Sequence, residues 1–143
     1  MNIRIKRFDA ALPLPEKKTA GAAAFDLAAR YKVVIQSHGV GYIPLNIAVE
    51  TPAGYFLLIA ARSGTHKKGL MLANGIGIID PDFSGDDDEI QAAYYNFTDR
   101  LVTVEKGERI AQGMFVATEG FAWEETDSMN NKTRGGFGTT GKQ

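Results

Sequence analysis

At 143 residues the chain fits a single domain that buries roughly two-thirds of its unfolded surface. Its 16 Lys and Arg against 17 Asp and Glu leave a formal charge of −1, which excludes a nucleic-acid binder relying on a broad basic face. With no cysteine, disulfides, thiolate metal sites and cysteine nucleophiles are excluded, and no apolar run reaches the length of a membrane span. The amino-terminal MNIRIKRF lacks the apolar core of a signal peptide, so the expected location is cytoplasmic, in a host's cytoplasm if the chain is viral.

Sixteen glycines and five prolines punctuate the chain too often for long helices. IRIKRF is a first short β-prone run. AAFDLAA then sets Asp26 among small apolar residues, where an isolated carboxylate either bonds to backbone or faces a cation. YKVVIQ is the next run. In YIPLNIAVE, residues Ile43, Leu45, Ile47 and Val49 share one face at period two.

YFLLIAA leads into ARSGTHKKGL, read as a helix of one or two turns closed by Gly69. There Arg62 supplies a planar cation suited to phosphate oxygens and Ser63 a hydroxyl donor. Gly64 lets the backbone approach an anion. A capped helix with a solvated basic face is the other reading of this segment, and His66 reads as solvated in either case.

In NGIGIIDPDF, Gly75 and Gly77 interrupt what reads as a buried strand, a sign of close approach by a ligand or another backbone. Asp80 ends that strand, where a desolvated carboxylate can act as a general base; a turn initiated by Asp-Pro is the alternative. Asp82 shapes the turn, and Asp86, Asp87 and Asp88 form a solvated loop that Glu89 follows. EIQAAYYNFT turns Ile90, Ala92 and Tyr94 to one side and Ala93, Tyr95 and Phe97 to the other. After LVTVE, KGERIAQGMF is a turn at Lys106-Gly107 feeding a strand, with Glu108 and Arg109 able to pair locally and Gln112 at an inner position.

The end, NNKTRGGFGTTGKQ, is polar and glycine-rich, the composition of a mobile tail. Arg134 and Phe137 give it the charge and the stacking face needed to close over a ligand, a frayed terminus being the plainer alternative. Many short strands between turn signals predict an all-β sandwich, jelly roll or barrel with at most one short helix. The expected division is a β-barrel catalytic domain over 1–131 and a flexible tail over 132–143.

Taken in order, AAFDL, ARSGTHKKGL, NGIGIIDPDFSG, GERIAQ and TRGGFGTTG resemble the five motifs of the trimeric dUTP diphosphatase (dUTPase) family. The resemblance runs from about residue 20 to residue 141. It implies a distorted jelly roll assembled as a homotrimer, with active sites at subunit interfaces and the tail closing over them. The implied reaction is Mg²⁺-dependent hydrolysis of dUTP to dUMP and pyrophosphate, which limits uracil in DNA and supplies dUMP for dTMP synthesis. By matching position, Asp80 is the general base. Phe83, where the family usually has tyrosine, stacks on the deoxyribose. Asn74, with the backbone from Gly75 through Gly77 to Ile79, matches the hairpin that reads uracil. Arg62, Ser63, Gly64 and Gln112 match the phosphate-binding positions, and Asp26 the aspartate that holds Mg²⁺ through a water. Arg134 matches the tail arginine near the γ-phosphate, and Phe137 the aromatic that stacks on the base.

The chain departs from the family pattern at Ala24 for glycine, Ala61 for proline and Glu108 for aspartate. It also has a shorter run between Arg134 and Phe137, and an acidic DDDE extension after Gly85. A dCTP deaminase or bifunctional enzyme on the same fold is one alternative, for which Glu89 is the nearby proton-shuttling candidate. A dUTPase-like regulatory or binding protein is the other. No stable nucleic-acid or membrane partner is implied.

Overall fold

A computed structural model describes residues 1–138. Its strands are β1 (Arg4–Arg7), β2 (Phe25–Ala28), β3 (Val33–Ile35), β4 (Val40–Pro44), β5 (Ile47–Glu50) and β6 (Tyr55–Ala61). They continue as β7 (Leu70–Leu72), β8 (Gly77–Ile79), β9 (Gln91–Asn96), β10 (Val102–Val104) and β11 (Arg109–Ala117). A single 3₁₀ turn at Thr65–Lys68 is the helical element among the described residues. All strand pairs are antiparallel. One sheet runs β2-β11-β6-β8, a second runs β4-β9-β7, and β1-β5 and β3-β10 pair off separately, so the whole is a distorted jelly roll.

Period two places the core correctly on the β9 segment, where Ile90, Ala92 and Tyr94 are buried; Ile43, Leu45, Ile47 and Val49 are buried too, but so are Pro44, Asn46 and Ala48 between them. With Leu27, Leu57, Ile59, Leu70, Val104 and Ile110, the β9 residues and the period-two aliphatics form one cluster, each large aliphatic contributing roughly 1.5–3 kcal/mol by leaving water. YIPLNIAVE is not one strand, however. It breaks at Asn46, whose φ is +72°, between β4, which pairs with β9, and β5, which pairs with β1. The Asn46 amide stabilises the break by bonding the Asp9 backbone at both its nitrogen and its oxygen.

GIGII also departs from expectation, because Ile76 and Ile78 are exposed. β8 bonds only to β6 and is the edge of its sheet; Ile79 packs on the core from one face, while Ile78 on the other face is open to solvent. Gly77 is needed there for space: a Cβ would stand 3.0 Å from that of Ile59. The expected one- or two-turn helix is the 3₁₀ turn, closed by Gly69 at φ +89°, where a Cβ would strike Thr98. Regular structure ends at Ala117, and from Thr118 to Gly138 the chain has neither strand nor helix.

Candidate active site

The end of β6 and the facing residues of β2 and β11 assemble a polar cluster from three sequence-distant segments. Gln112 lies opposite Asp26 on one side and Ala60 on the other. Arg62, one residue past β6, donates from Nε to Asp26 Oδ1 at 3.0 Å and from Nη1 to the Arg109 carbonyl at 3.1 Å. Two of its three nitrogens are thereby fixed, and Nη2 is left to meet an incoming acceptor. Gln112 Nε2 donates to the Ala61 carbonyl at 3.0 Å. The remaining carboxylate oxygen, Asp26 Oδ2, is buried and has no hydrogen-bond partner among the described residues.

Ser63 and Gly64 are exposed beside this cluster. A Cβ on Gly64 would meet nothing within 4 Å, so the space above its backbone is open to an anion. Arg62, Gly64, Thr65, Lys68, Glu108 and Arg109 line one shallow cleft. Glu108 does not pair with Arg109 as the sequence suggested. Instead its Oε1 takes the Lys68 ammonium at 3.0 Å, because adjacent residues on a strand point to opposite faces while the 3₁₀ turn brings Lys68 across.

Asp80 belongs to a different end of the sheet. It follows the pair Ile79–Leu57 and so stands opposite Phe56, six residues before Arg62. At about 3.3 Å per residue that is roughly 20 Å along β6. Within its own chain Asp80 is exposed rather than desolvated, since the edge strand that presents it has nothing packed over it. The turn Asp80–Phe83, closed by the Phe83 N–H on the Asp80 carbonyl at 3.1 Å, places Asp82 at its tip and leaves Phe83 exposed.

Asn74 and Gly75 sit upstream in a tight turn, Gly75 at φ +76°. This is a corner between sheets rather than a hairpin, since β7 pairs with β9 and β8 with β6. Arg134 and Phe137 are exposed, and the last residues of the fifth motif lie outside the described ones. The single chain thus brings together Asp26, Arg62 and Gln112. It keeps Asn74, Gly77, Ile79, Asp80 and Phe83 as a second group.

The acidic extension is tied down at three points. Gly85 N–H bonds Asp88 Oδ2 at 2.7 Å, Lys6 Nζ bonds the Asp86 carbonyl at 2.7 Å, and Glu89 grips Arg30 with both oxygens at 2.8 Å. Glu89 also accepts from the Asn46 N–H. It is a nearly buried structural ion pair rather than a residue trailing a solvated loop. That partnership holds the Arg30 pKa above its ordinary value, the hydrogen bond from Arg30 to Glu89 being the main cause. A carboxylate so engaged is not free to shuttle protons to a base, which counts against the deaminase alternative.

Sequence reasoning gave no role to Thr65 or Tyr94, and grouped Lys68 only with Arg62 and Lys67 as a local basic cluster suited to a small phosphorylated ligand; in the structure Lys68 pairs with Glu108. For Tyr94 the signal was present: a phenol on the core face of β9 must find a partner for its hydroxyl.

A distorted jelly roll carrying a guanidinium–carboxylate–amide cluster at a sheet end defines an all-β protein of a recognisable class. Comparison with known proteins makes the class specific. The dUTPase family model matches residues 10–141. The chain is 34% identical to the deoxyuridine 5'-triphosphate nucleotidohydrolase of Helicobacter pylori over 99% of its own length and 97% of that protein's. It is 37% identical to that of a Hydrogenobaculum species, over 99% of each. The crystal structure of dUTPase from Streptococcus mutans superposes with a TM-score of 0.75 at 29% identity, over 83% of this chain and 98% of that one. A dUTPase variant from phage 80alpha shares the fold with a TM-score of 0.83 at 23% identity, over 96% and 97% of the two chains. The chain therefore belongs to the dUTPase family, the dUTP diphosphatases.

Proposed function

We propose that this enzyme cleaves dUTP to dUMP and pyrophosphate by attack of water at the α-phosphorus, and that it does so as a homotrimer with shared sites. The observation that carries the reading is the separation of Asp80 from Arg62, roughly 20 Å along β6. A phosphate held by Arg62 is out of reach of a water held by Asp80 of the same chain. Two chains can present the two groups side by side, Asp26, Arg62 and Gln112 from one and Asn74, Asp80 and Phe83 from the next. The exposed Ile76 and Ile78 flanking the Asp80 group are the apolar surface such a contact would cover.

In that arrangement Arg62 Nη2, the Ser63 hydroxyl, the Gly64 backbone and Gln112 bind phosphate oxygens. The Asp80 carboxylate, desolvated by the neighbouring chain, takes the proton of the attacking water. The backbone from Gly77 to Ile79 and Asn74 hydrogen-bond uracil, while the Phe83 ring packs on the deoxyribose and leaves no room for a 2′-hydroxyl. Residues 132–143 act as a lid over the 1–131 barrel, bringing Arg134 to the γ-phosphate and Phe137 to the base.

The family implies Mg²⁺, and the residues fit it in one way. Asp26 Oδ2 is a buried acceptor with no partner among the described residues, while no group of three or more His, Asp or Glu there could ligate an ion directly. Asp26 would hold the ion through a water, with the triphosphate supplying the other oxygens. Once bound, Mg²⁺ neutralises charge on the phosphate oxygens.

The test is pyrophosphate release measured across dUTP, dTTP, dCTP and UTP, with and without Mg²⁺. Release from dUTP alone, abolished by removing the metal, is the expected result. Ammonia release from dCTP would overturn it.

A further inference from the structure

Beneath the proposed phosphate cradle, the core contains a chain of polar groups with no direct access to substrate. The Arg62 N–H donates to Thr65 Oγ1 at 3.1 Å. The Thr65 hydroxyl lies against the Tyr94 phenol, close enough to pull its pKa down, and the Tyr94 hydroxyl donates to the Ile110 carbonyl. Thr65 and Tyr94 are both buried, and Tyr94 sits completely within the aliphatic core cluster. Buried hydroxyls in such a place are costly unless fully partnered, and here each is.

The partner at the far end explains the arrangement. The register of β11 against β2 shifts between Arg109 and Ala111, so Ile110 is the extra residue of a β-bulge and drops out of both neighbouring ladders. Its carbonyl is received by Tyr94. The adjacent carbonyl, that of Arg109, is received by Arg62 Nη1. The two paths close a ring: from the Arg62 backbone through Thr65 and Tyr94 to the bulge, then back through Arg109 to the Arg62 guanidinium.

We infer that Tyr94 and Thr65 are positioning residues for the phosphate cradle, locking the Arg62 turn and the β11 bulge to each other so that Arg62 and Gln112 face one ligand in a fixed relation. This rests on the reading of Arg62 and Gln112 as phosphate-binding. Neither positioning residue touches the nucleotide. Their effect falls on the β- and γ-phosphates rather than on the base or sugar, which belong to the other group of site residues.

The test compares two probes by calorimetry in the presence of Mg²⁺: α,β-imido-dUTP, which carries the whole triphosphate, and dUMP, which lacks the outer phosphates. Tyr94→Phe keeps the ring and removes only the hydroxyl. It should weaken imido-dUTP by about tenfold, because an unlocked turn no longer holds Arg62 and Gln112 in one relation to the ligand, and leave dUMP unchanged. Thr65→Val should do the same. The double variant should be no weaker than either single one, because both cut the same chain. KM for dUTP should rise in step. Equal losses for both probes, no loss for either, or simple additivity in the double variant would each overturn the inference, since a purely structural role predicts one of these. If Tyr94→Phe does not fold, Thr65→Val carries the same comparison. Arg62→Gln separates the layers. If it too leaves imido-dUTP affinity intact, the phosphate assignment itself has failed. If it weakens imido-dUTP and the Tyr94 and Thr65 variants do not, only the positioning role has failed.

Discussion

The carboxylates between Asp80 and Glu89 separate by what each oxygen touches. Asp80 is exposed on a turn at a strand end, Asp88 caps the Gly85 amide, and Glu89 is locked to Arg30. Asp80→Asn should therefore lower kcat for dUTP by roughly 10²–10⁴-fold while imido-dUTP still binds, as measured by stopped pyrophosphate assays alongside calorimetry. Wild-type turnover in that variant would mean the base lies elsewhere. Glu89→Gln should cost about 1–3 kcal/mol in thermal or urea unfolding, because Arg30 loses a charged partner, and should leave substrate choice untouched. Tyr94 provides a pH signature. Burial pushes its phenol up to about 12 from 10, against a smaller downward pull from Thr65. A raised pKa means the stabilisation is complete below pH 10, where both states are protonated. It is lost as pH climbs from 10 to 12, because the unfolded chain releases its proton first. The wild-type protein should lose stability over that window, and Tyr94→Phe should lose less, which denaturant titrations at pH 9, 10 and 11 will show.

At the level of strands, alternation was the legible signal. It located β9 and sorted its two faces correctly, because side chains on a strand must alternate whatever the topology, while β6 was legible only as an apolar β-prone run. The break inside YIPLNIAVE was not legible. It depends on Asn46 meeting the backbone of Asp9, 37 residues away, and Glu89, 43 residues away. The same holds for β8. GIGII has the composition of a buried strand, and only sheet order reveals an edge with Ile76 and Ile78 in the open. Within the site, the motif-two helix and the Gly107 turn were readable locally. The Tyr94–Thr65 ring was not, since it joins segments through a bulge that no local pattern announces. The tail is an element in its own right, exposed at Arg134 and Phe137. Truncation after Asn131 should cripple dUTP turnover and leave assembly intact, as read by steady-state kinetics and sedimentation. Unchanged kinetics would remove the lid from the mechanism.

For the whole molecule, the separation along β6 makes a quantitative demand. Asp80→Asn and Arg62→Gln subunits, each nearly inactive alone, should recover activity when co-expressed. Random mixing in a head-to-tail ring leaves about a quarter of the sites with both residues intact. No recovery would place both residues of each site on one chain and contradict the register argument. Ile76, Ile78, Phe121 and Trp123 are exposed, and the proposed trimer would cover at least the first two. The distance between Asp80 and Arg62 has one more consequence. In the proposed trimer a nucleotide held by two chains would be an adhesive as well as a substrate, because it would bind the assembly and not the separated subunits. Specific activity should collapse on dilution, and a non-hydrolysable analogue should delay that collapse, so that the demand for the reaction helps to build the machine that performs it.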